Sequence, residues 1–471
     1  MYLLQQDLNT AFFCAIIIAM AVTIIQLVIY YNCISKLIGR KTLHIIAIST
    51  CAYCIANFSD RHLLAMLFAF FFIALVFVVH KKWLQVSQRI SYGIAFFPLA
   101  FALLLVCPLI PIKDIVFAAL CLAICDALAG IVGERFGKTK IIFWSEGKTL
   151  AGFLTFFLAS FILAVVFFKF YSYNGIVAGF IIAFIIALTE LFSKQGSDNL
   201  SVPIVAAVTT LLVRSLSMQE LMNLIFLNFF LLVGCWFLIR RNWLAFSGAI
   251  AALWMAQLIF IAGGMQGFGI PLFFLISGSL VSKLNKHGKE KHGRNAIQVF
   301  ANGLVGVVCL LVFKLTALPI FLFCSIVSFC ISMTDTCSSE IGMYFKQSTR
   351  DVLTFKCVLP GLSGGISLAG TLGGVVGAIL ITCLSYFLWP LKVHFLFMCI
   401  LFGVLGMLLD SAIGSRWQVK FGKDNTGLTD HFIPGTIKMK GYYWCTNDVV
   451  NIFSNAVTTF VFYVVYNFLS S

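Results

Sequence analysis

The chain has 471 residues, of which 61% are apolar and only 10% charged, and its mean hydropathy is +1.04. No soluble domain of this length needs so much apolar surface, so the composition excludes an ordinary soluble enzyme and predicts a polytopic membrane protein. The net charge of +15 would suit nucleic acid, but the basic residues lie in short loops between apolar runs, so no nucleic-acid partner is expected.

Sixteen apolar runs of helical length follow one another along the chain. They lie at 11–31, 42–57, 62–80, 91–110, 114–132, 150–170, 174–190, 200–213, 220–239, 243–262, 269–282, 297–314, 317–335, 362–390, 395–412 and 447–468. The first run has no basic segment before it and no small-residue cleavage site after it. It is therefore expected to be a retained helix and not a signal peptide.

The distribution of Lys and Arg predicts the orientation. Residues 1–10 contain neither, which indicates an outer N-terminus. All but six of the 32 basic residues then fall in inner loops, the six being Arg61, Lys113, Lys169, Arg214, Lys314 and Lys392. The plan restarts near residue 218 with the same sidedness, as a parallel duplication of an even-numbered module requires.

The predicted fold is therefore an all-α polytopic integral membrane protein of about sixteen transmembrane helices. Its two parallel eight-helix modules are expected at 1–217 and 218–471. The expected location is the inner, cytoplasmic membrane of a bacterium, with the functional sites facing the cytoplasm.

The stretch 125–152 is the strongest candidate site in the first half. Asp126 lies within an apolar run, where an ionised carboxylate costs several kcal/mol unless it is paired, metal-bound or facing a cavity. Glycines for close backbone approach, lysines and a new helix N-terminus follow it, which are the parts of a nucleotide site. The candidate phosphate-binding residues are Gly133, Gly137, Lys138, Lys140, Gly147, Lys148 and Thr149.

A second polar segment, 189–203, returns to the same predicted membrane face. It carries Glu190, then Asp198 and Asn199. Acidic residues at a helix end could be solvated caps. Their predicted return beside Asp126 also suits a shared metal site, with Asp126 and Asp198 as ligands.

The second half repeats the order of these parts. Asp335 corresponds to Asp126, and the segment 365–370 (GISLAG) corresponds to 147–152 (GKTLAG). The glycines at 370–377 have small-xxx-small spacing, which close helix packing explains. Gly364 and Gly365 instead follow Pro360 in a loop before a helix, where backbone amides and Ser367 are expected to hold phosphate.

Further polar residues lie at predicted inner helix ends of the second half. The basic run 282–303 is typical of a solvated inner loop, but Gln298 and Asn302 lie one turn apart where the next helix enters the membrane. The candidate metal ligands of this half are Asp335, Glu340, Asp410 and Asp448. The remaining candidates are Asn447 as a phosphate-binding residue and Arg294, Lys283 and Lys356 as phosphate-binding cations.

These residues resemble two known families. Residues 114–213 resemble the phytol kinase and dolichol kinase group, which is related to CTP-dependent phosphatidate cytidylyltransferases. The first resemblance is carried by Asp126-Ala127, Gly133, Phe136-Gly137-Lys138, Lys148-Thr149, Gly152, Asp198-Asn199-Leu200 and Pro203.

Residues 220–471 resemble the phytyl-phosphate kinase family. The second resemblance is carried by Gly293-Arg294, Gln298-Val299, Ala301-Asn302-Gly303, Asp335-Thr336, Glu340-Ile341-Gly342, Pro360-Gly361, Gly364-Gly365-Ile366-Ser367, Gly370-Thr371, Leu409-Asp410-Ser411, Gly414, Gln418, Trp444 and Asn447-Asp448-Val449-Val450-Asn451.

The resemblance implies two successive kinases that convert an isoprenoid alcohol to its monophosphate and then to its diphosphate. The expected co-substrate is CTP or another nucleoside triphosphate, and the expected cofactor is Mg²⁺. Catalytic roles are expected for Asp126, Lys148, Glu190, Asp198, Asp335, Asp410 and Asp448. Glu190 or Asp198 would accept the proton of the alcohol.

Two other functions remain open at this point. One is a CTP-dependent cytidylyltransferase, which would release pyrophosphate where a kinase releases a nucleoside diphosphate. The other is a lipid or polyprenyl-phosphate transporter, although transporter repeats usually place polar residues at the middle of the membrane.

Overall fold

The structure is a computed structural model that describes residues 2–81, 93–141, 147–169, 175–193, 196–284, 293–422, 428–430, 432 and 434–470. Residues 285–292 of the predicted basic run lie outside this part. The chain divides into two compact units, Met1–Phe226 and Leu227–Ser471.

The first unit is a helical bundle. Its helices are α1 (Tyr2–Tyr30), α2 (Lys36–Asn57), α3 (Arg61–His80), α4 (Gly93–Val106), α5 (Ile112–Leu120), α6 (Asp126–Phe136), α7 (Leu150–Lys169), α8 (Gly175–Phe192) and α9 (Asp198–Arg214). A π-helix, Cys121–Cys125, joins α5 to α6 without a break. Helix α1 packs against α2, α3 against α4, and α6 to α9 pack in sequence, while α2 packs against α5 and α9 returns to pack against α4 and α5.

The second unit is also mainly helical. Helix α10 (Met218–Arg240) leads into it, and α11 (Phe246–Leu284), α12 (Ala296–Thr316), α13 (Pro319–Phe345), α14 (Leu368–Leu388), α15 (Val393–Arg416) and α16 (Asn447–Ser470) follow. Helix α13 packs against each of α11, α12, α14, α15 and α16, so it forms the centre of the unit.

Helix α11 contains 39 residues, which would span about 58 Å if it were straight. That is about twice the hydrocarbon thickness of a bilayer. The helix breaks at Gly264, whose φ of 61° and ψ of −159° lie outside the helical region and favour glycine. The two predicted runs 243–262 and 269–282 therefore lie on either side of this break.

Five short strands depart from the all-α prediction. In the second unit β1 (Thr349–Asp351) lies between β2 (Cys357–Val358) and β3 (Gly365–Ile366), and β4 (Lys420–Gly422) pairs with β5 (Ile437–Lys440). All pairings are antiparallel. The run predicted to be helical from 362 accordingly begins as a loop and strand, and α14 starts only at Leu368, after Ser367 caps it.

Within the described residues, fifteen continuous helices form, and twelve are long and apolar enough to cross a membrane. The mostly helical membrane architecture is confirmed, but the count of sixteen spans is not. Helices α4 and α9 have only 14 and 17 residues, and the first turns of α2 are polar. The two predicted runs 243–262 and 269–282 form the two parts of α11, which counts here as one helix with a break at Gly264.

The two units share local details. Asn32 ends the turn after α1 with φ of 56°, and Asn242 ends the turn after α10 with φ of 54°. The amide of each asparagine donates to the carbonyl three residues earlier at 3.0 Å, Ile29 in one unit and Ile239 in the other. Short helix–helix connections of the same geometry therefore open both bundles.

Candidate active sites

In the first unit Asp126 is held by a lysine from a distant part of the chain. Lys41 Nζ, on α2, donates to Asp126 Oδ2 at 2.9 Å and to the Asp126 carbonyl at 3.4 Å. His44 Nε2 lies 3.6 Å from the same carboxylate oxygen. The charge that the sequence places in an apolar run is therefore paired, and sequence reasoning missed both partners.

A second ion pair lies beside it. Lys148 Nζ donates to Glu190 Oε1 at 2.6 Å and also to the Glu190 carbonyl. The glutamate side chain is only 11% exposed. The predicted phosphate-binding lysine and the predicted proton acceptor thus contact each other directly.

Asp198 completes this group at the start of α9, just outside the twelve candidate spans. Burial raises the pKa of Asp198, and the negative charge of Asp126 raises it further, while Lys148 opposes the shift. We call Lys41, Asp126, Lys148, Glu190 and Asp198 the first cluster. It brings three predicted carboxylates within electrostatic reach of two lysines.

Other predicted residues of the first site lie elsewhere or have structural roles. A Cβ on Gly137 would lie 2.2 Å from the Gly133 carbonyl, so close packing, not ligand approach, accounts for this glycine. Lys138 and Lys140 are exposed, and neither forms an ion pair with a described carboxylate. The Asn199 amide donates to the Gly93 carbonyl at 2.8 Å and ties α9 to α4. Gly147, with φ of 65°, forms the turn that precedes Lys148.

In the second unit the predicted acids surround one polar cavity of about 480 Å³. Predicted residues make up much of its wall, namely Arg294, Asp335, Glu340, Gly364, Gly365, Ser367, Asp410, Asn447 and Asp448. These residues come from the three helices α13, α15 and α16, from the segment just before α12 and from the segment between α13 and α14. The structure therefore collects in one place what is spread over more than 150 positions of the sequence.

The carboxylates of Asp335 and Asp410 interact electrostatically across this cavity. Ser454 Oγ donates to Asp410 Oδ2 at 3.0 Å, and Asn451, with its amide nitrogen turned toward the carboxylate, donates to the same oxygen at 3.1 Å. Both donors lie on α16. Asp410 and Asn451 both line the cavity.

The loop before α14 is built differently from the predicted phosphate cradle. The Ser363 amide and hydroxyl both donate to Asp430 Oδ2, at 2.9 and 2.7 Å, and the Gly365 amide donates to the Leu362 carbonyl. A Cβ on Gly364 would lie 2.5 Å from the Cβ of Ser415. These amides and this glycine thus serve the folding of the loop, which still forms one wall of the cavity.

The three predicted cations of the second site separate. Arg294 lines the cavity, is 7% exposed, and lies over the Phe274 ring at 5.5 Å. Lys283 donates to the Arg241 carbonyl and lies over the Trp243 ring instead. Lys356 is exposed beyond β1 and does not line the cavity.

Gln298 and Asn302 also line the cavity, and both have local partners. Gln298 completes a capping box with Asn295 at the start of α12, and the Asn302 amide donates to the Gln298 carbonyl at 2.8 Å. Cavity residues that sequence reasoning did not single out include Phe421, Phe432 and Tyr443. They come from the β4–β5 region, which gave no helical or motif signal.

Each unit contains a crossing of two helices at a pair of glycines, and in each unit the first of these helices carries the central aspartate. Gly133 on α6 and Gly152 on α7 meet beside Thr149, where a Cβ on Gly133 would lie 3.3 Å from the Gly152 Cα. Gly342 on α13 and Gly370 on α14 meet beside Ser367, where a Cβ on Gly342 would lie 3.4 Å from the Gly370 Cα. Asp126 and Asp335 each precede the first glycine of their pair by seven residues, so both are two helical turns from an equivalent contact.

Magnesium would fit the donor chemistry of both sites. Among the residues described, no three His, Cys, Asp or Glu side chains lie close enough together to hold a metal ion on their own. Mg²⁺ usually takes one or two carboxylates and completes its shell with water and substrate phosphates. The pair Asp335 and Asp410, which repel each other across the cavity, is of that kind.

Comparison with known proteins adds a family to this geometry. Residues 229–459, most of the second unit, match the family described as Integral membrane protein DUF92. The chain is an integral membrane protein. No solved structure is significantly similar to it.

Relatives with names also match. The chain is 27% identical over 231 residues to Protein VTE6, chloroplastic, of Arabidopsis thaliana, which covers 46% of this chain and 64% of that protein. It is 36% identical over 132 residues to the phytol kinase of Synechocystis, covering 26% of this chain and 56% of the kinase. An uncharacterized membrane protein of Methanocaldococcus jannaschii is 29% identical over 42% of this chain and 85% of its own length. The chain thus spans less than two thirds of Protein VTE6 and of this phytol kinase.

Proposed function

We propose that this protein is a membrane-embedded bifunctional isoprenoid kinase. It phosphorylates a prenyl alcohol, of the phytol, geranylgeraniol, farnesol or polyprenol type, to the monophosphate and then to the diphosphate. The observation that carries the proposal is the pair of equivalent helix crossings, each with an aspartate two turns away and with acids and cations around it. Similarity to a protein named phytol kinase supports the reaction class.

The first cluster would carry the alcohol step. The alcohol oxygen forms a bond to the γ-phosphorus of the donor while the bond from that phosphorus to the β,γ-bridging oxygen breaks. The alcohol proton passes to Glu190 or Asp198, and the nucleoside diphosphate leaves. Lys148 and Lys41 would stabilise negative charge on the transferred group, which is the main protein contribution to phosphoryl transfer.

The polar cavity of the second unit would carry the second step. Here a phosphate oxygen of the prenyl monophosphate attacks, so no general base is needed but the repulsion between two anions must be offset. Arg294 supplies positive charge at the cavity wall. Mg²⁺ would neutralise the donor phosphates in both sites. Asp126 and Asp198 would hold it in the first site. In the second site Asp335 and Asp410 would hold it, with Glu340 and Asp448 nearby.

Several finer features belong to the same proposal. The donor is CTP or another nucleoside triphosphate. The kinase domains are 1–217 and 218–471, derived by tandem duplication as two parallel eight-helix modules. The N-terminus lies outside a bacterial inner membrane, and both sites face the cytoplasm, where the nucleotide is available.

Reciprocal substitutions test the proposal. Asp126→Asn should abolish phosphorylation of geranylgeraniol and leave phosphorylation of geranylgeranyl monophosphate intact, and Asp335→Asn should do the reverse. The assay uses membranes containing the full chain, labelled CTP or ATP, and chromatography of the lipid and nucleotide products. Glu134→Gln, an exposed carboxylate on α6, is the matched control.

The products also separate the alternatives. Release of a nucleoside diphosphate supports a kinase, whereas release of pyrophosphate with a CDP-lipid indicates a cytidylyltransferase. If both aspartate variants lose both steps alike, two independent sites do not exist. Chelation with EDTA should stop both steps, and Mg²⁺ should restore them.

A further inference from the structure

The polar cavity of the second unit adjoins an apolar one. The apolar cavity has a volume of about 250 Å³ and lies between α10 and both parts of α11, before and after the break at Gly264, with the start of α12 and Phe329 of α13 completing its wall. Its wall is almost entirely aliphatic and aromatic, as Leu231, Leu253, Ile259 and Phe329 illustrate.

Three polar residues belong to both cavities. Arg294, Gln298 and Asn302 line the apolar cavity and the polar cavity alike. Gln298 and Asn302 lie on the first two turns of α12, and Arg294 directly precedes its N-cap residue, Asn295. A molecule with an apolar tail in one cavity would therefore present its polar end at these three side chains and face the acids beyond them.

Arg294 is placed to bind a phosphate at this junction. It is 93% buried, and its guanidinium packs on the Phe274 ring and close to Gly278, where a Cβ would lie 3.1 Å from Nη2. The Arg294 amide and carbonyl are both bonded to the α10–α11 connection, to Trp243 and Ala245. These contacts fix the backbone of Arg294, while Phe274 and Gly278 pack against its guanidinium. A planar guanidinium suits two oxygens of one phosphate.

The wall also contains a vacancy in its packing. Gly234 on α10 lines the apolar cavity, and a Cβ built there meets no heavy atom within 4 Å. On α11, by contrast, a Cβ on Gly263 or Gly267 would lie against Leu310. Helix packing therefore does not explain Gly234, and the space beside it is available to a lipid chain.

We infer that the apolar cavity holds the isoprenoid tail of the phosphate acceptor of the second unit, and that Arg294, with Gln298 and Asn302, binds the acceptor phosphate. This inference rests on the proposed second kinase step and assigns Arg294 to the acceptor and not to the nucleotide. The order along the path is tail cavity, Arg294, then Asp335 and Asp410. It places the attacking phosphate between the lipid and the donor site.

Filling the tail cavity tests the inference. Gly234→Leu should raise the KM for farnesyl monophosphate at least tenfold, with little change in kcat, because the new side chain occupies space that the tail needs. The KM for dimethylallyl monophosphate, whose single isoprene unit does not extend far from Arg294, should change less than threefold. Val233→Leu, which adds bulk on the exposed face one residue away, is the matched control.

Changing the head-group residue is the second arm. Arg294→Lys keeps the charge but loses the planar fork, and it should raise the KM for both prenyl monophosphates at least tenfold while the KM for the nucleotide stays within threefold. A larger effect on the nucleotide KM would overturn the assignment of Arg294 to the acceptor.

A binding measurement separates failure of this inference from failure of the proposed function. Farnesyl monophosphate with a photoreactive diazirine in its last isoprene unit should label peptides from α10 and α11 in wild-type membranes, and Gly234→Leu should reduce that labelling. If the wild type phosphorylates no prenyl monophosphate but labelling follows this pattern, the kinase proposal fails and the tail site stands. If the diphosphate forms while labelling lies elsewhere or Gly234→Leu has no effect, the tail site is wrong.

Discussion

The ion pair between Lys148 and Glu190 offers a direct test of the first site. Its two side chains are 22% and 11% exposed, and the charged atoms are 2.6 Å apart. Removing one partner of a buried pair costs about 3–5 kcal/mol when the other charge is left without compensation. The structure predicts that the two single substitutions differ, because the neighbours of the two residues differ.

In Lys148→Met the Glu190 carboxylate keeps two like charges within electrostatic reach, Asp126 and Asp198. We expect the full cost of about 3–5 kcal/mol in the free energy of unfolding. In Glu190→Gln the Lys148 ammonium still has Asp198 within electrostatic reach. The expected cost there is about 1–2 kcal/mol, as for loss of a hydrogen bond to a charged group. The double variant should resemble Glu190→Gln.

Kinetics then distinguish the two roles. Glu190→Gln should lower kcat for geranylgeraniol about 10²–10⁴-fold with a nearly unchanged nucleotide KM, because a general base acts in the transition state. Lys148→Met should raise the nucleotide KM. Thermal unfolding in detergent measures the stability of each variant, and initial rates of alcohol phosphorylation measure its kcat and its nucleotide KM.

Two results would refute this reasoning. If Lys148→Met is no more destabilising than Glu190→Gln, the like charges around Glu190 do not act as described. If Glu190→Gln changes only the nucleotide KM, Glu190 merely positions Lys148 and the proton goes elsewhere, with Asp198 the next candidate.

Two further predictions concern the helix crossing and the loop of the second unit. In Gly370→Ala the new Cβ would lie 2.8 Å from the Ser338 carbonyl, so this variant should slow the second step more than tenfold. In Gly152→Ala the nearest contact of the Cβ would be 3.2 Å, so this variant should slow the first step only severalfold in the same product assay. Equal effects of the two variants would contradict the packing argument. Burial alone would raise the pKa of Asp351, but hydrogen bonds from Ser415 and Thr354 lower it to about 2. The charge of Asp351 therefore stabilises the fold above about pH 4, and this contribution is lost as the pH falls toward 2. The melting temperature of Asp351→Asn should lie below that of wild type at pH 7 and approach it in acid, and a difference that widens in acid would show that the charge is not stabilising.

The residues that the sequence identified most clearly as candidates for the sites were the carboxylates within apolar runs. A carboxylate in an apolar run has few acceptable environments, so Asp126, Asp335 and Asp410 could be selected from the chain without any structure. The structure does place each of them in a polar group. The helical membrane class follows from composition for the same reason, since apolar runs of this length have few alternatives.

Short-range patterns were less informative about glycines and lysines. Gly137 and Gly364 look alike in sequence to glycines that approach a ligand, yet each contacts neighbouring backbone or Ser415. Lys283 and Lys356 carry the same charge as Arg294 but lie outside the cavity. Charge and glycine content identify a segment, while the direction of each side chain depends on packing around it.

The sequence by itself determined that this protein lies in a membrane and which acidic residues are candidates for its sites. Burying an ionised group in a bilayer is so costly that each of these acids requires a partner. Which partner was decided only by tertiary structure. Lys41 reaches Asp126 across 85 residues, and Arg294 stands where an apolar cavity meets a polar one. Such contacts depend on how helices far apart in the chain pack together, and no local pattern records that.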